Sequence, residues 1–371
     1  MVNHATIPAL NDRLISLDAM RGFTIAAMLL VNYPGSWKHI YLPLTHAKWN
    51  GLTPTDLIFP AFLFIVGVSI ALSYTKLMEK GASKKELYKK IVFRSIKIFA
   101  VGVFISLLPR FDFQNVRITG VLQRISVVFL ACSFIYLNTS FRTQAWLGVI
   151  ILILYWLVMT LVPTPGIDEV RLDRDANLAA WVDTMLLPRS VWQGAWDPEG
   201  LLGTFPSIVT GISGLLAGRV LLGKHTPHEK SILLMIGGIA AVTAGYIWHL
   251  TFPINKNLWS SSFVLVTSGI ASLLLGAFYY IVDIRKHASG TKPGIIFGAN
   301  AIAIYFLSEV ISHLFYTLPF GSASLNVHFM SALTHAGLAS KLASVLYAIT
   351  FVCINFLIAR ILYRKGIFIR L

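Results

Sequence analysis

Residues 148–162 read GVIILILYWLVMTLV, fifteen positions with no charge and no polar residue beyond one threonine. A strand facing lipid on one side would alternate in polarity, so this continuous run is read as helix inside a bilayer. Similar stretches recur along all 371 residues. The chain is 56% hydrophobic and 13% charged with mean hydropathy +0.71, against about 25% charged in soluble domains. The expected fold is an all-α polytopic membrane bundle of about ten spans. They are placed at 14–34, 54–75, 91–109, 118–137, 145–163, 204–222, 231–250, 259–282, 295–316 and 342–363.

Ten spans put both termini on one side. With that side cytoplasmic, 21 of the 31 Lys and Arg fall inside and 9 outside, with Arg124 within a span. Cytoplasmic loops collect Lys and Arg, so the orientation is N-in, C-in. This accounts for the net charge of +15 without a nucleic acid partner. Cys132 and Cys353 each sit in an apolar run, which argues against a disulfide framework or a cysteine metal site. No P-loop, G-x-G-x-x-G or HExxH motif occurs, and no metal is expected. The N-terminus MVNHATIPALNDR lacks the pattern of a cleaved leader. The chain is therefore read as a single transmembrane domain, multi-pass in a lipid bilayer, with one outward segment at about 164–203. That segment holds 7 of the 16 acidic residues. It is either a solvated loop with a short helix or a lid over an outward site.

Polar residues concentrate where the first two spans meet the outer face. In LTHAKWNGLTPTDLIFP (44–60), Thr53 can cap a helix, Pro54 suits its first turn, and Asp56 stands three residues after the cap. That explains Asp56 as a structural residue and leaves His46 unexplained. A histidine takes and returns protons near neutrality, and at a membrane edge partial desolvation favours its neutral, basic form. Asn32, at the outer end of span one, is placed to orient His46 or a substrate carbonyl. Trp49 and Asn50 share the turn after His46. Asn255 and Asn257 lie in a polar hinge, PINKNLW, at the outer end of span eight. Arg124 is the deepest cation, either a functional group or half of a structural ion pair with a partner such as Asp56. Arg21 pairs by spacing with Asp18, and Arg21, Arg94 and Lys97 near the inner face are candidates for phosphate contacts. GISGLLAGR (211–219) carries small residues at helix-packing spacing.

The runs LDAMRGFTIAAMLLVNYPGSW (17–37) and LTHAKWNGLTPTDLIFPAFLFIVGVSIALS (44–73) resemble the family of lysosomal heparan-α-glucosaminide N-acetyltransferases and their bacterial NagX-like relatives. The resemblance continues through RITGVLQRI, DPEGLLGTFPSI, INKNLWSSSFVL, GANAIAIYFLSE and YRKGIFIRL, nearly the whole chain. It implies an acyltransferase that takes acetyl from acetyl-CoA at the cytoplasmic face and delivers it to a glucosamine-type amine outside. It further implies His46 as the functional histidine of H-A-x-W-N-G, Asn32 as its partner in V-N-Y, a bacterial inner membrane location and a homodimer. Two other readings stay open: a transporter of amino sugars or glycans, and an acyltransferase acting on a cell-wall or lipid-linked glycan.

Overall fold

A computed structural model describes residues 14–108, 111–167, 169–187 and 194–369. The first thirteen residues, read above for a leader, lie outside it, as do residues 168 and 188–193 of the 164–203 segment. In chain order the helices are α1 (Ile15–Asn32), α2 (Ile58–Glu79), α3 (Lys84–Leu107), α4 (Val121–Asn138), α5 (Phe141–Leu161), α6 (Leu178–Leu186) and α7 (Leu201–Leu222). They continue with α8 (Pro227–His249), α9 (Ser261–Phe278), α10 (Lys292–Ala299), α11 (Ala301–Thr317), α12 (Leu325–His335) and α13 (Ser340–Arg364). The only sheet among the described residues is a two-stranded hairpin, Pro319–Phe320 against Ala323–Ser324. The protein is an all-α polytopic membrane bundle.

Among the described residues eight helices are long and apolar enough to cross a membrane, and the pair α10 and α11, bent by 81°, makes a ninth if counted as one broken span. The remaining expected span is α3. It begins earlier than the apolar run suggested, at Lys84, and its last 18 residues still hold Lys90, Arg94 and Lys97. The basic start is a well-formed helix entry. Ser83 Oγ accepts from Glu86 N at 3.3 Å while the Glu86 carboxylate accepts from Ser83 N at 3.4 Å, a reciprocal cap that satisfies two backbone donors.

The chain forms two compact units, residues 1–46 with 277–371, and residues 47–276. In the second, α2 and α7 pack backbone to backbone. A Cβ at Gly67 would collide with the Gly211 carbonyl, and one at Gly214 with the Phe64 carbonyl. The small residues of GISGLLAGR are thus a helix-packing face, where close approach replaces the hydrophobic effect that lipid does not supply. In the first unit α1 meets α10 the same way, through Gly22, Gly294 and Gly298. Asp283 caps α1 from a π-helical segment, Tyr279–Ile284, accepting from Ile15 N at 3.1 Å and Ser16 N at 3.2 Å.

The break between α10 and α11 falls at Asn300. Its Nδ2 donates to the Ile367 carbonyl at 3.0 Å and its Oδ1 accepts from Ile369 N at 2.8 Å. The C-terminal tail therefore engages both the donor and the acceptor of the Asn300 side chain at the break.

Candidate active site

In the unit of residues 47–276, the polar loop after His46 is built on Asp56. The 3₁₀ turn Pro54–Leu57 opens α2 with Thr53 before it, and Asp56 closes the expected capping box. The buried carboxylate does more than cap. Its Oδ2 accepts from Thr53 N at 3.0 Å, from Thr53 Oγ1 at 2.9 Å and from Ala47 N at 3.1 Å. The amide directly after His46 is thereby fixed to the start of a membrane helix. Oδ1 lies 3.9 Å from Lys256 Nζ. Burial lowers the Lys256 ammonium from its ordinary range, and the Asp56 charge opposes that shift.

Trp49 and Asn50 are held from two directions. Trp49 Nε1 donates to the Leu172 carbonyl at 2.8 Å, its ring meets Trp196 edge to face at 5.3 Å, and the Arg174 guanidinium lies 5.7 Å from both rings. Arg174 also donates to the Lys48 carbonyl at 2.6 Å. On the other side, Asn255 Nδ2 donates to Asn50 Oδ1 at 3.0 Å, and Gly51 N to the Ile254 carbonyl at 2.8 Å. Gly51 adopts φ +118°, a conformation that only glycine takes at low cost. Asn255 is fully buried and spends its own Oδ1 on Leu258 N at 3.0 Å. It is a strut for the turn, while Asn50 remains exposed and Asn257 is half-buried.

The segment of residues 164–203 packs onto this loop and anchors α7. Arg117 grips Asp197 with Nε at 2.8 Å and Nη2 at 2.5 Å, and reaches Glu199 at 2.6 Å. Burial would raise the Asp197 carboxyl, but the Arg117 bonds outweigh it and hold the group below the usual range. Asp183, on α6, accepts from Leu201 N at 2.8 Å at the start of α7. Burial pushes its carboxyl up to about 6. Three acidic groups of the segment are therefore committed to structure.

Arg124 is buried at the start of α4, and its partners are carbonyls: Pro198 O at 2.9 Å and Gly200 O at 2.8 Å, with the Trp259 ring 5.0 Å away. The cation 3.9 Å from Asp56 is Lys256, so the suggested pairing of Arg124 with Asp56 is replaced by a carbonyl bracket. A guanidinium fork suits two convergent carbonyls, which sequence position alone does not foretell. Arg94, exposed on α3, stacks over Phe129 at 4.8 Å, and Lys97 lies 5.1 Å from the Phe93 ring.

In the unit of residues 1–46 and 277–371, Asn32 is the half-buried last residue of α1. The chain after it is pinned. Tyr316 Oη donates to the Pro34 carbonyl at 2.6 Å, Gly35 N to the Ser344 carbonyl at 3.2 Å, and Ser36 N to Ser344 Oγ at 3.1 Å. His46 follows a 3₁₀ turn, Leu42–Leu44, and the chain itself leaves it exposed. Arg21 forms the expected pair with Asp18 at 2.9 Å. Among the described residues no group of three His, Cys, Asp or Glu is placed to hold a metal ion.

Sequence reasoning missed Asp183, Arg117 and Asp197 as structural anchors, and Lys256 as the cation beside Asp56. The one available signal was the polar hinge PINKNLW, which named the right segment and not the right pairing.

Comparison with known proteins adds identity to this geometry. The family model for "Heparan-alpha-glucosaminide N-acetyltransferase, catalytic" matches residues 13–172, a range that includes Asn32, His46 and Asp56. Heparan-alpha-glucosaminide N-acetyltransferase of Homo sapiens is 32% identical over 366 residues, covering 83% of this chain and 54% of that protein. The Mus musculus enzyme is 33% identical over 361 residues, with 82% and 54% covered. The chain spans about half the length of the curated relatives it matches. On these matches, the chain is similar over most of its length to heparan-α-glucosaminide N-acetyltransferases.

Proposed function

We propose that the protein is a transmembrane N-acetyltransferase that moves acetyl from cytoplasmic acetyl-CoA to the amine of a glucosamine-type sugar at the outer face of a bacterial plasma membrane. The observation that carries this reading is the family match across the segment holding Asn32 and His46, together with the buried Asp56 that fixes the amide next to His46.

In this reading His46 takes a proton from the acceptor amine as its nitrogen attacks the thioester carbonyl carbon. The tetrahedral adduct collapses, the carbon–sulfur bond breaks, and the thiolate leaves with the proton returned by His46. The balance is amine plus acetyl thioester to amide plus thiol. Asn32 donates from its amide to the carbonyl oxygen as charge develops there, or orients the imidazole. In the alternative route His46 itself carries the acetyl group between the two substrates. Asp56 acts as a positioning residue and Arg124 as a structural partner, and Trp49, Asn50, Asn255 and Asn257 shape the acceptor side. Arg94 and Lys97 supply positive charge for the CoA phosphates, with Arg21 contributing less because Asp18 already pairs with it.

One observation speaks to the transporter alternative. Broken membrane helices often mark transport sites, and α10 and α11 form one. Here, however, the side chain at the break is engaged by tail residues Ile367 and Ile369, which favours a structural break.

The test uses the purified full chain with labelled acetyl-CoA and a panel of amino sugars. Label is expected in the amide of at least one sugar, and His46→Ala is expected to slow transfer by roughly 10²–10⁴-fold. Label that reaches no amine, with counterflow of unmodified sugar in vesicles free of acetyl-CoA, would install the transporter instead.

A further inference from the structure

Within the unit of residues 47–276 a cleft of about 300 Å³ lies between α5 and α8, floored by α7 and α9. Nothing in the reaction above uses it. Its walls include Val149 and Leu152 on α5 and Leu233 and Gly237 on α8, and its floor includes Ile212 and Val264. In the far halves of the two wall helices, Trp156 and Trp248 meet edge to face at 5.8 Å. The cleft therefore lies on the side of that pair toward the helix starts. Val149 and Leu233 line it and are exposed, so it is open to the surrounding lipid.

Both wall helices start at one end of the unit. Arg219, near the end of α7, donates to the Thr139 carbonyl at 3.0 Å and to Gln144 Oε1 at 3.1 Å, at the start of α5. After residues 223–226 the chain turns into α8. That end is basic. Arg142 precedes Ala145 and Val149 by three and seven residues, and Lys230 precedes Leu233 and Gly237 by the same intervals. This spacing puts each cation on the cleft face of its helix, one turn below the apolar lining. The one acidic residue in 138–150 and 219–240 is Glu229, whose carboxylate accepts from Thr226 N at 2.8 Å and faces His225 at 3.9 Å.

The lining sets the class of ligand. Its serine hydroxyls bond within the walls, Ser213 Oγ to Ser268 Oγ at 2.9 Å and Ser272 Oγ to the Leu234 carbonyl at 2.8 Å. A sugar or nucleotide would give up hydrogen bonds to water there without regaining them. A hydrocarbon chain gives up none. An apolar cleft between helices with two cations at its mouth is complementary to a phospholipid with a negative headgroup. A second copy of the chain would instead bring the same cations to the patch.

We propose that this cleft binds an anionic phospholipid, with one acyl chain between α5 and α8 and the phosphate held by Arg142 and Lys230. In the N-in orientation expected from the Lys and Arg bias, the lipid belongs to the cytoplasmic leaflet, which carries the anionic lipid. The site is additional to the acetyl-transfer reading and does not depend on it. The competing account is a general attraction of basic surface for anionic membrane, in which any two cations count equally.

The test places the full chain in phosphatidylcholine vesicles that carry a small fraction of a probe lipid with a diazirine on one acyl chain. The probe is phosphatidylglycerol or phosphatidylcholine, and adducts formed on irradiation are mapped by proteolysis and mass spectrometry. Adducts within 145–152 and 233–241 are expected about tenfold more often from the phosphatidylglycerol probe. Unlabelled phosphatidylglycerol should displace it, and inorganic phosphate should not. A Cβ at Gly237 meets nothing within 4 Å, so Gly237→Phe fills the cleft without a backbone collision and should abolish these adducts. Arg142→Gln with Lys230→Gln should bring the two probes to within about twofold. Lys84→Gln with Lys85→Gln, an equal loss of charge at the start of α3, should leave the wild-type preference.

Equal labelling of the cleft by the two probes in wild type overturns the proposal, as does displacement by inorganic phosphate or labelling that persists in Gly237→Phe. A preference lost equally in the Lys84 and Lys85 variant installs the general attraction instead. Should Gly237→Phe fail to fold, the two charge variants decide. A cleft that takes up neither probe while two chains crosslink through α5 and α8 assigns it to a second copy and also overturns the proposal.

Discussion

The polar groups of the two units are used differently. In residues 47–276 the charged and amide groups around the polar loop are tied to the protein itself. Asp56 accepts from three donors through one oxygen and has Lys256 beside the other. Asn255 divides its amide between Asn50 and Leu258, and Arg124 holds two carbonyls. In residues 1–46 with 277–371, His46 is exposed and Asn32 is half-buried. The difference teaches where to look for construction and where for chemistry. A buried group held by several internal bonds builds a surface, and an exposed group can meet a ligand.

The largest effect is expected at Asp56. Truncation to Ala leaves the Ala47 amide, the Thr53 donors and the Lys256 charge without their shared acceptor. Removing one member of a buried pair costs about 3–5 kcal/mol. Asp56→Ala should lower the thermal midpoint in detergent and abolish transfer together, while Asp56→Asn keeps part of the cap and an intermediate midpoint. A midpoint equal to wild type in Asp56→Ala would break the contrast between the units.

Arg124 comes next. Lys keeps the charge and loses the fork that reaches both Pro198 and Gly200, so Arg124→Lys should cost about 1–3 kcal/mol. Transfer should fall no further than the loss of folded protein explains. A kcat that drops while the folded fraction is unchanged would move Arg124 from construction to chemistry.

The smallest effect is the most pH-dependent. Burial raises the Asp183 carboxyl to about 6 in the folded protein, above its ordinary value near 3.9. The folded state thus favours the protonated form, and stability falls as pH rises from about 4 through about 6. Above that window Asp183→Asn, whose amide oxygen can still accept from Leu201 N, should be more stable than wild type by about 1–3 kcal/mol. The two midpoints should converge toward pH 4. A gap that widens as pH falls would reverse the assignment.

Much of this contrast was legible in the sequence, for reasons that differ by residue. Apolar runs gave the spans because lipid exposure leaves no room for polarity, and α3 strayed because its cations reach into the helix. The spacing in TPTD announced the cap, a local arrangement that four residues contain. The bond from Ala47 to Asp56 was hidden because it depends on how the intervening turn closes at Gly51. Lys256, Arg117 with Asp197, and the carbonyl bracket of Arg124 join segments far apart in sequence, where charge tells what must be satisfied and not by whom. The resemblance named Asn32 and His46, which their local spacing alone does not single out.

The most direct measurement places the full chain in sealed liposomes with labelled acetyl-CoA confined to the compartment facing the termini and glucosamine confined to the other. The account predicts labelled N-acetylglucosamine in the glucosamine compartment, at a rate that His46→Ala lowers by roughly 10²–10⁴-fold. Label that appears only when both substrates share a compartment, or His46→Ala at the wild-type rate, would contradict it.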